Sequence, residues 1–327
     1  MKIFVTGGSG FVGRNLIEMS VQRGVQVRAL SRSESAAATV RALGAEPVPG
    51  DLDDESALCN GMADCDLVFH SAAHVLDWGD AATFHRINVT GTERVLAAAR
   101  SAGVPRLVHV STEAVLVGGP PLHGADETWP RPAHPVGLYP LTKGLAEERV
   151  QAANSAALTT VIARPRFIWG RGDNTLLPQL VQAVRGGGYA WIDGGHYQSS
   201  TCHVRNVCEG LWCAAARGRG GEIYFLTDGA SVEFRQFITA MLKTQGITPP
   251  DRSVPRWLAR ALAASSELLW RTLPLSGRPP ISRSAVRLIG EEVTVRDDKA
   301  RREIGYVGHV TREAGLSEMQ EEAARQP

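Results

Sequence analysis

The run Thr6-Gly7-Gly8-Ser9-Gly10-Phe11-Val12-Gly13 constrains this chain more than any other stretch. It follows a short apolar run at 2–6 and opens an amphipathic stretch at 11–23. The glycines fit two registers, Gly-x-Gly-x-x-Gly at 8, 10 and 13 and Gly-x-x-Gly-x-x-Gly at 7, 10 and 13. Either register asks for the same thing: a sharp turn after a strand, a backbone that can approach a pyrophosphate, and a helix packed close on the strand. The first amides of that helix then meet the phosphate charge.

The pattern beyond the turn repeats the same unit. Strand-like runs at 25–30, 66–70, 106–110 and 158–163 alternate with helical stretches at 34–43, 84–101 and 138–154. This predicts an α/β chain, a doubly wound Rossmann-type parallel sheet with helices on both faces. A further strand at 223–226 would return to the sheet, and residues from 231 onward read as mostly helical. The expected division is a dinucleotide-binding domain over 1–170 and about 198–229. A smaller, mostly helical substrate lobe takes about 171–197 and 230–327.

Composition narrows the function classes. Lysine plus arginine number 35 against 34 acidic residues, so no basic excess exists for a nucleic acid. No run of 18 or more apolar residues suggests a membrane span. The five cysteines (59, 65, 202, 208 and 213) form no C-x-x-C pair, which fits core residues in a reducing cytoplasm. The histidines show no metal-ligand spacing; His70 and His74 straddle a strand end and a loop. Lys2, Lys143, Lys243 and Lys299 are the only lysines, so chemistry that needs one has few candidates.

Cofactor choice is read after the second strand. An acid there would bind the ribose hydroxyls of NAD, but the chain has Ser31-Arg32. Ser31 removes the carboxylate that would repel a 2′-phosphate, and Arg32 offers a charged fork to it, so NADP(H) is expected over NAD(H). Asp51, followed by Leu52, closes the third strand region, where its carboxylate could accept the adenine amino group. Asp53 and Asp54 read as the acidic opening of the next helix.

Tyr139 and Lys143 stand at i and i+4, on one face of the long helix at 138–154. Random placement of five tyrosines and four lysines gives only about 0.06 such pairs. An ammonium near the phenol should lower its pKa and ready it for proton transfer while hydride moves. Ser111 or Thr112, at the end of the preceding strand, can hold the substrate oxygen.

Together these residues resemble the extended short-chain dehydrogenase/reductase superfamily over nearly the whole chain. Besides the glycine turn and Tyr139-x-x-x-Lys143, the carriers are Gly50-Asp51-Leu52, Val68-Phe69-His70-Ser71-Ala72-Ala73, Asn88-Val89-Thr90-Gly91-Thr92 and Val110-Ser111-Thr112. Within it, Arg164-Pro165-Arg166-Phe167-Ile168-Trp169-Gly170 and Pro279-Pro280-Ile281-Ser282-Arg283 are similar to the 3β-hydroxysteroid dehydrogenase family, including bacterial 2-alkyl-3-oxoalkanoate reductases. The resemblance implies Tyr139 as general acid/base, Lys143 as its partner, and Thr112 ahead of Ser111 as the hydroxyl. It implies Gly7, Ser9, Gly10, Phe11 and Val12 about the pyrophosphate, and Ser71, Ala72 and Ala73 along the cofactor. Pro165 and Ile168 would lie near the nicotinamide, and Asn88 would shape its helix. Two departures stand out: Arg205 or Asn206 occupies a position where Asp is usual, and Leu116 replaces a Tyr common in sugar-nucleotide enzymes.

The resulting expectation is an NADP-dependent oxidoreductase interconverting a ketone and a secondary alcohol on an apolar substrate, sterol-like or β-keto acyl. The alternatives are a nucleotide-sugar epimerase or dehydratase and a non-catalytic NADP sensor. Trp78, Trp129 and Phe167 are candidate substrate contacts. The stretch 255–274 alternates Trp257, Leu262, Leu268, Leu269 and Trp270 with arginines. It reads as a core helix, a lid, or a peripheral membrane contact. A homodimer paired through the Tyr139 helix is implied by the resemblance.

Overall fold

The computed structural model describes residues 1–273 and 275–325; Pro274, the last residue of the 255–274 stretch, lies outside them. Seven strands form the main sheet: β1 (Lys2–Thr6), β2 (Gln26–Ser31), β3 (Glu46–Pro49), β4 (Leu67–His70), β5 (Arg106–Val110), β6 (Thr159–Pro165) and β7 (Ile223–Leu226). All pairs are parallel, in the order β3-β2-β1-β4-β5-β6-β7. The winding reverses between β1 and β4, which opens a crevice at their carboxyl ends.

Helices α1 (Phe11–Gln22), α2 (Glu34–Ala42), α3 (Glu55–Met62), α4 (Ala81–His85), α5 (Gly91–Ser101) and α6 (Leu138–Ala152) alternate with these strands. The later helices are α7 (Leu177–Arg185), α8 (Val204–Arg217), α9 (Phe234–Lys243), α10 (Arg256–Thr272), α11 (Arg283–Ile289) and α12 (Arg312–Arg325).

Alternation along the strands builds the two layers. Ile3 and Val5 enter one core with Leu16 and Ile17 of α1 and Val207 and Leu211 of α8. Phe4, between them, enters the opposite core with Leu58 of α3, Val95 of α5 and Val150 of α6. Leu67 and Phe69 against Val68, and Val108 and Val110 against Leu107, repeat the split. A strand covered on both faces therefore reads as a continuous apolar run.

The second lobe holds α7, α9, α10 and α11, as the helical pattern predicts. It also holds a four-stranded sheet, which the pattern does not predict, made by Val232–Glu233, Gln198–Ser199, Val293–Val295 and Leu122–Ala125. Strands of two to four residues are too short to show a period of two. Leu122–Ala125 comes from the segment between β5 and α6, so that segment reaches into the lobe's sheet. The lobe's core is aromatic, with Trp169, Trp191, Tyr197, Phe234 and Phe237 meeting largely edge to face.

Candidate active site

The glycine turn sits at the β1–α1 junction, on the rim of the crevice. Gly7 has φ +73°, and a Cβ there would come within 2.7 Å of the Ala72 amide nitrogen. A Cβ on Gly13 would collide with the Gly7 carbonyl oxygen. Close packing of turn, β4 loop and helix thus demands these glycines. Ser33, Asp54 and Asp80 cap α2, α3 and α4 with side-chain oxygens, whereas α1 starts at Gly10 with no side-chain cap and no acid in its first turn. Its first amides are left free for an anion, so the turn fits a dinucleotide pyrophosphate.

The adenosine end has a matching character. Ser31 is buried at the end of β2, its hydroxyl on the Ala29 carbonyl. Arg32 is exposed and has no hydrogen-bond or ion-pair partner among the described residues, and its charge helps hold the His74 pKa down, after burial. Asp51 is exposed and accepts the Asp53 amide through one oxygen. Leu52 is half-buried and packs its side chain on the core beside Gly91 of α5. Asp54 is the α3 cap, while Asp53 pairs with Arg86 and Arg94.

The strand ends are pinned to one another. Ser71 Oγ donates to the Thr6 carbonyl at 2.7 Å, and the Thr6 hydroxyl meets His70 Nδ1 at 2.7 Å. His70 Nε2 meets the Thr92 hydroxyl, and burial pushes the His70 pKa down to about 3, with Lys143 adding to the effect. Asn88 sits in a π-helical turn, Arg86–Thr90, which interrupts the expected 84–101 helix. It accepts the His74 amide and donates to the Thr142 hydroxyl, tying the loop after β4 to α6. Its structural role is larger than shaping one helix.

Tyr139 and Lys143 stand one turn apart on α6, which Gly137 precedes as its cap residue with φ +102°. Lys143 is buried, and its ammonium donates to the Val110 carbonyl at 2.7 Å and lies 3.0 Å from His109 Nε2. Burial lowers its pKa to about 8, opposed by Glu147 one turn further on. The His109 ring is kept neutral by burial and by that ammonium.

The expected depression of the Tyr139 pKa is absent in this arrangement. Burial first, then the Glu113 carboxylate, push the phenol up, opposed by the Thr112 hydroxyl beside it. The ammonium is engaged by Val110 and His109, not by the phenol oxygen. Thr112 Oγ1 donates to Glu113 Oε2 at 2.9 Å and accepts the Ala114 amide. The Ser111 hydroxyl is buried and has no partner among the described residues.

Sequence reasoning missed the charges around this cluster. Glu113 is buried and pairs with Arg166 at 2.9 Å, and Arg166 also donates to the Leu288 carbonyl of α11. Glu147 and Arg164 form a buried two-pronged pair at 2.7 and 2.6 Å. The available signal was Arg164 and Arg166 within an otherwise buried strand and its end, with Glu147 four residues after Lys143. Buried charges are retained only when paired.

The candidate substrate residues separate. Trp78 lies under the Arg271 guanidinium, 5.6 Å from its ring centre, where the β4 loop meets α10. Trp129 packs against a different cluster, with Val115, Leu122 and Val293. Phe167 goes into the lobe's core against Phe234 and Phe237, so its ring serves packing. Its φ of +44° marks the bend where β6 leaves the sheet. Pro165 ends β6, and Ile168 pairs with Cys202 in a small two-stranded ladder. Asn206 is buried and holds Asp228 and both backbone groups of Val310, so the lobe joint is intact with Asn at that position.

A parallel sheet wound 3-2-1-4-5-6-7, an uncapped glycine turn at its first crossover and a buried Tyr–Lys helix define an extended short-chain dehydrogenase/reductase. The profile of the 3-beta hydroxysteroid dehydrogenase/isomerase family matches residues 4–256, and the chain belongs to that family. It is 54% identical over 321 residues to the 4-hydroxy-2-methyl-3-oxo-4-farnesyl-3,4-dihydroquinoline-1-oxide ketoreductase of Stigmatella aurantiaca, covering 98% of this chain and 96% of that one. It is 36% identical to the 2-alkyl-3-oxoalkanoate reductase of Stenotrophomonas maltophilia (strain K279a), covering 99% and 100%. Among solved structures, that of gox2253 superposes with a TM-score of 0.79 at 28% identity, covering 98% of both chains. The protein is thus an oxidoreductase of the dehydrogenase and ketoreductase type.

Proposed function

We propose that the chain is an NADPH-dependent reductase that converts a ketone on an apolar substrate to a secondary alcohol, with alcohol oxidation as the reverse. The observation that carries this is the meeting of Tyr139, Thr112 and Lys143 at the carboxyl end of β5. Both relatives named above carry a 3-oxo group and an apolar substituent in their names. Transferred to this chain, they support a ketone beside a substituted carbon as the substrate class.

When bound, NADPH supplies the hydride that goes to the carbonyl carbon. Tyr139 Oη gives its proton to the carbonyl oxygen, and the raised pKa keeps that proton in place at neutral pH. The ketone oxygen takes over the Thr112 proton that Glu113 accepts here, and the Lys143 ammonium, held on the Val110 carbonyl in this arrangement, would turn to the phenolate left behind. Lys143 and Tyr139 would also face the nicotinamide ribose. Arg32, free of acids, would hold the 2′-phosphate. Leu116 is buried in the core, which gives no support to a sugar-nucleotide substrate. Cytoplasmic residence and pairing through α6 are part of the same proposal.

The test is NADPH oxidation against a panel of 2-alkyl-3-oxo acids, ketosteroids and UDP- or dTDP-sugars. Turnover confined to the first two groups is expected. Activity on the sugar nucleotides alone would overturn the assignment.

A further inference from the structure

Helix α10 is amphipathic the wrong way round for a core helix. Its small residues, Ala259 and Ala263, face inward, with the Glu267 carboxylate buried beside them. Most of its large apolar residues face out: Trp257 is 70% exposed, Leu268 62% and Leu262 52%, while Leu258 and Trp270 are half-buried. Leu269, Leu273 and Leu275 extend the same exposed apolar stretch. Its inner face packs on the lobe core with Ile192 and Val286, as a core helix would, and its outer face carries the exposed apolar side chains.

The charge around this face is predominantly positive. Between 255 and 291 the chain has six arginines and two acids, Glu267 and Glu291. Both acids are buried, and each is shared by two arginines, Arg271 and Arg283 on one and Arg260 and Arg287 on the other. Asp193, from outside the segment, pairs with Arg256. Arg278 is exposed and has no ion-pair partner among the described residues. Positive charge therefore remains beside exposed Trp and Leu, although the whole chain carries only +1. That pairing of features suits the interface of an anionic bilayer. No helix among the described residues is long and apolar enough to cross one.

The face also adjoins the candidate site. Arg271 covers Trp78, Ser282 donates to Asp77 of the same loop at 2.8 Å, and Ser284 packs against Gly137 at the start of the Tyr139 helix. We propose that the outer face of α10 docks on an anionic lipid surface, so that an apolar substrate passes from lipid toward the loop at 71–80. The lipid contact stands on α10 alone; the passage of substrate rests on the reductase reading.

The test is co-flotation of the full chain with phosphatidylcholine vesicles, with and without about 30% phosphatidylglycerol, at low and high salt. Binding to the anionic vesicles, weakened by salt, is expected. The double variant Leu262→Ser/Leu268→Ser should bind about ten-fold or more weakly. Its melting temperature and its reduction of a short water-soluble keto ester should be unchanged. No flotation with either vesicle, or flotation unaffected by the substitutions, would overturn the proposal. So would a dimer in sedimentation that the substitutions dissolve while vesicles go unbound, since the face would then belong to a second copy. Flotation needs no turnover, so failure of the reductase reading is seen separately, in the keto ester assay.

Discussion

Two single positions carry sharp expectations. Glu113 is a positioning residue: it takes the Thr112 proton, raises the Tyr139 pKa, and is held by Arg166. Glu113→Gln should lower kcat about 10- to 100-fold with little change in NADPH affinity. A kcat unchanged from that of the unaltered chain would contradict the role. Gly13→Ala sets a Cβ against the Gly7 carbonyl, backbone that cannot swing aside. It should weaken cofactor binding at least ten-fold and cost about 1–3 kcal/mol of stability, read by dye-free calorimetry. The glycine turn was legible in sequence because its requirement is local. Glu113 was not: its partner Arg166 is 53 residues away, and an arginine at the end of a buried strand asks for an acid without saying which one.

At the scale of elements, α6 and β6 are joined by the Glu147–Arg164 pair, and Lys143 lies between that pair and β5. Lys143 has its pKa lowered from an ordinary 10.5 to about 8, so the folded chain holds fewer protons than the unfolded one between those values. Its burial therefore costs stability below pH 8, and that cost fades as pH rises toward 10.5. Catalysis runs the other way. If Lys143 must be charged, ketone reduction should be level at neutral pH and fall as pH rises through about 8. Glu147→Gln removes the carboxylate that favours the ammonium, so this limb should shift to lower pH. The same change leaves Arg164 unmatched and should cost on the order of 3–5 kcal/mol in denaturant melts. Tyr139 and Lys143 were found from sequence because a helix fixes their geometry at i and i+4. His109 was hidden because the Lys143–His109 contact spans 34 residues and two elements.

At the scale of the molecule, the parallel sheet was legible because its inner strands are buried on both faces; the edge strand β3 has no buried residue and carries no such run. The lobe was legible only in its helices. Its four-stranded sheet gathers pieces from 122 to 295, and no local pattern announces such an assembly. Cofactor choice belongs at this scale too, since the proposed contact of Arg32 with the dinucleotide depends on the placement of β2 beside β1. Arg32→Ala should raise the KM for NADPH about ten-fold or more and leave that for NADH nearly unchanged. Equal losses with both cofactors would place Arg32 elsewhere in the account.

The most direct measurement is single-turnover reduction of a 2-alkyl-3-oxo acid by the Tyr139→Phe chain, alongside its NADPH affinity. The phenol donates the proton in this account. The rate should therefore fall about 10²- to 10⁴-fold while NADPH binding stays within a few-fold of the unaltered chain. A variant that binds NADPH and keeps its turnover would contradict the central claim.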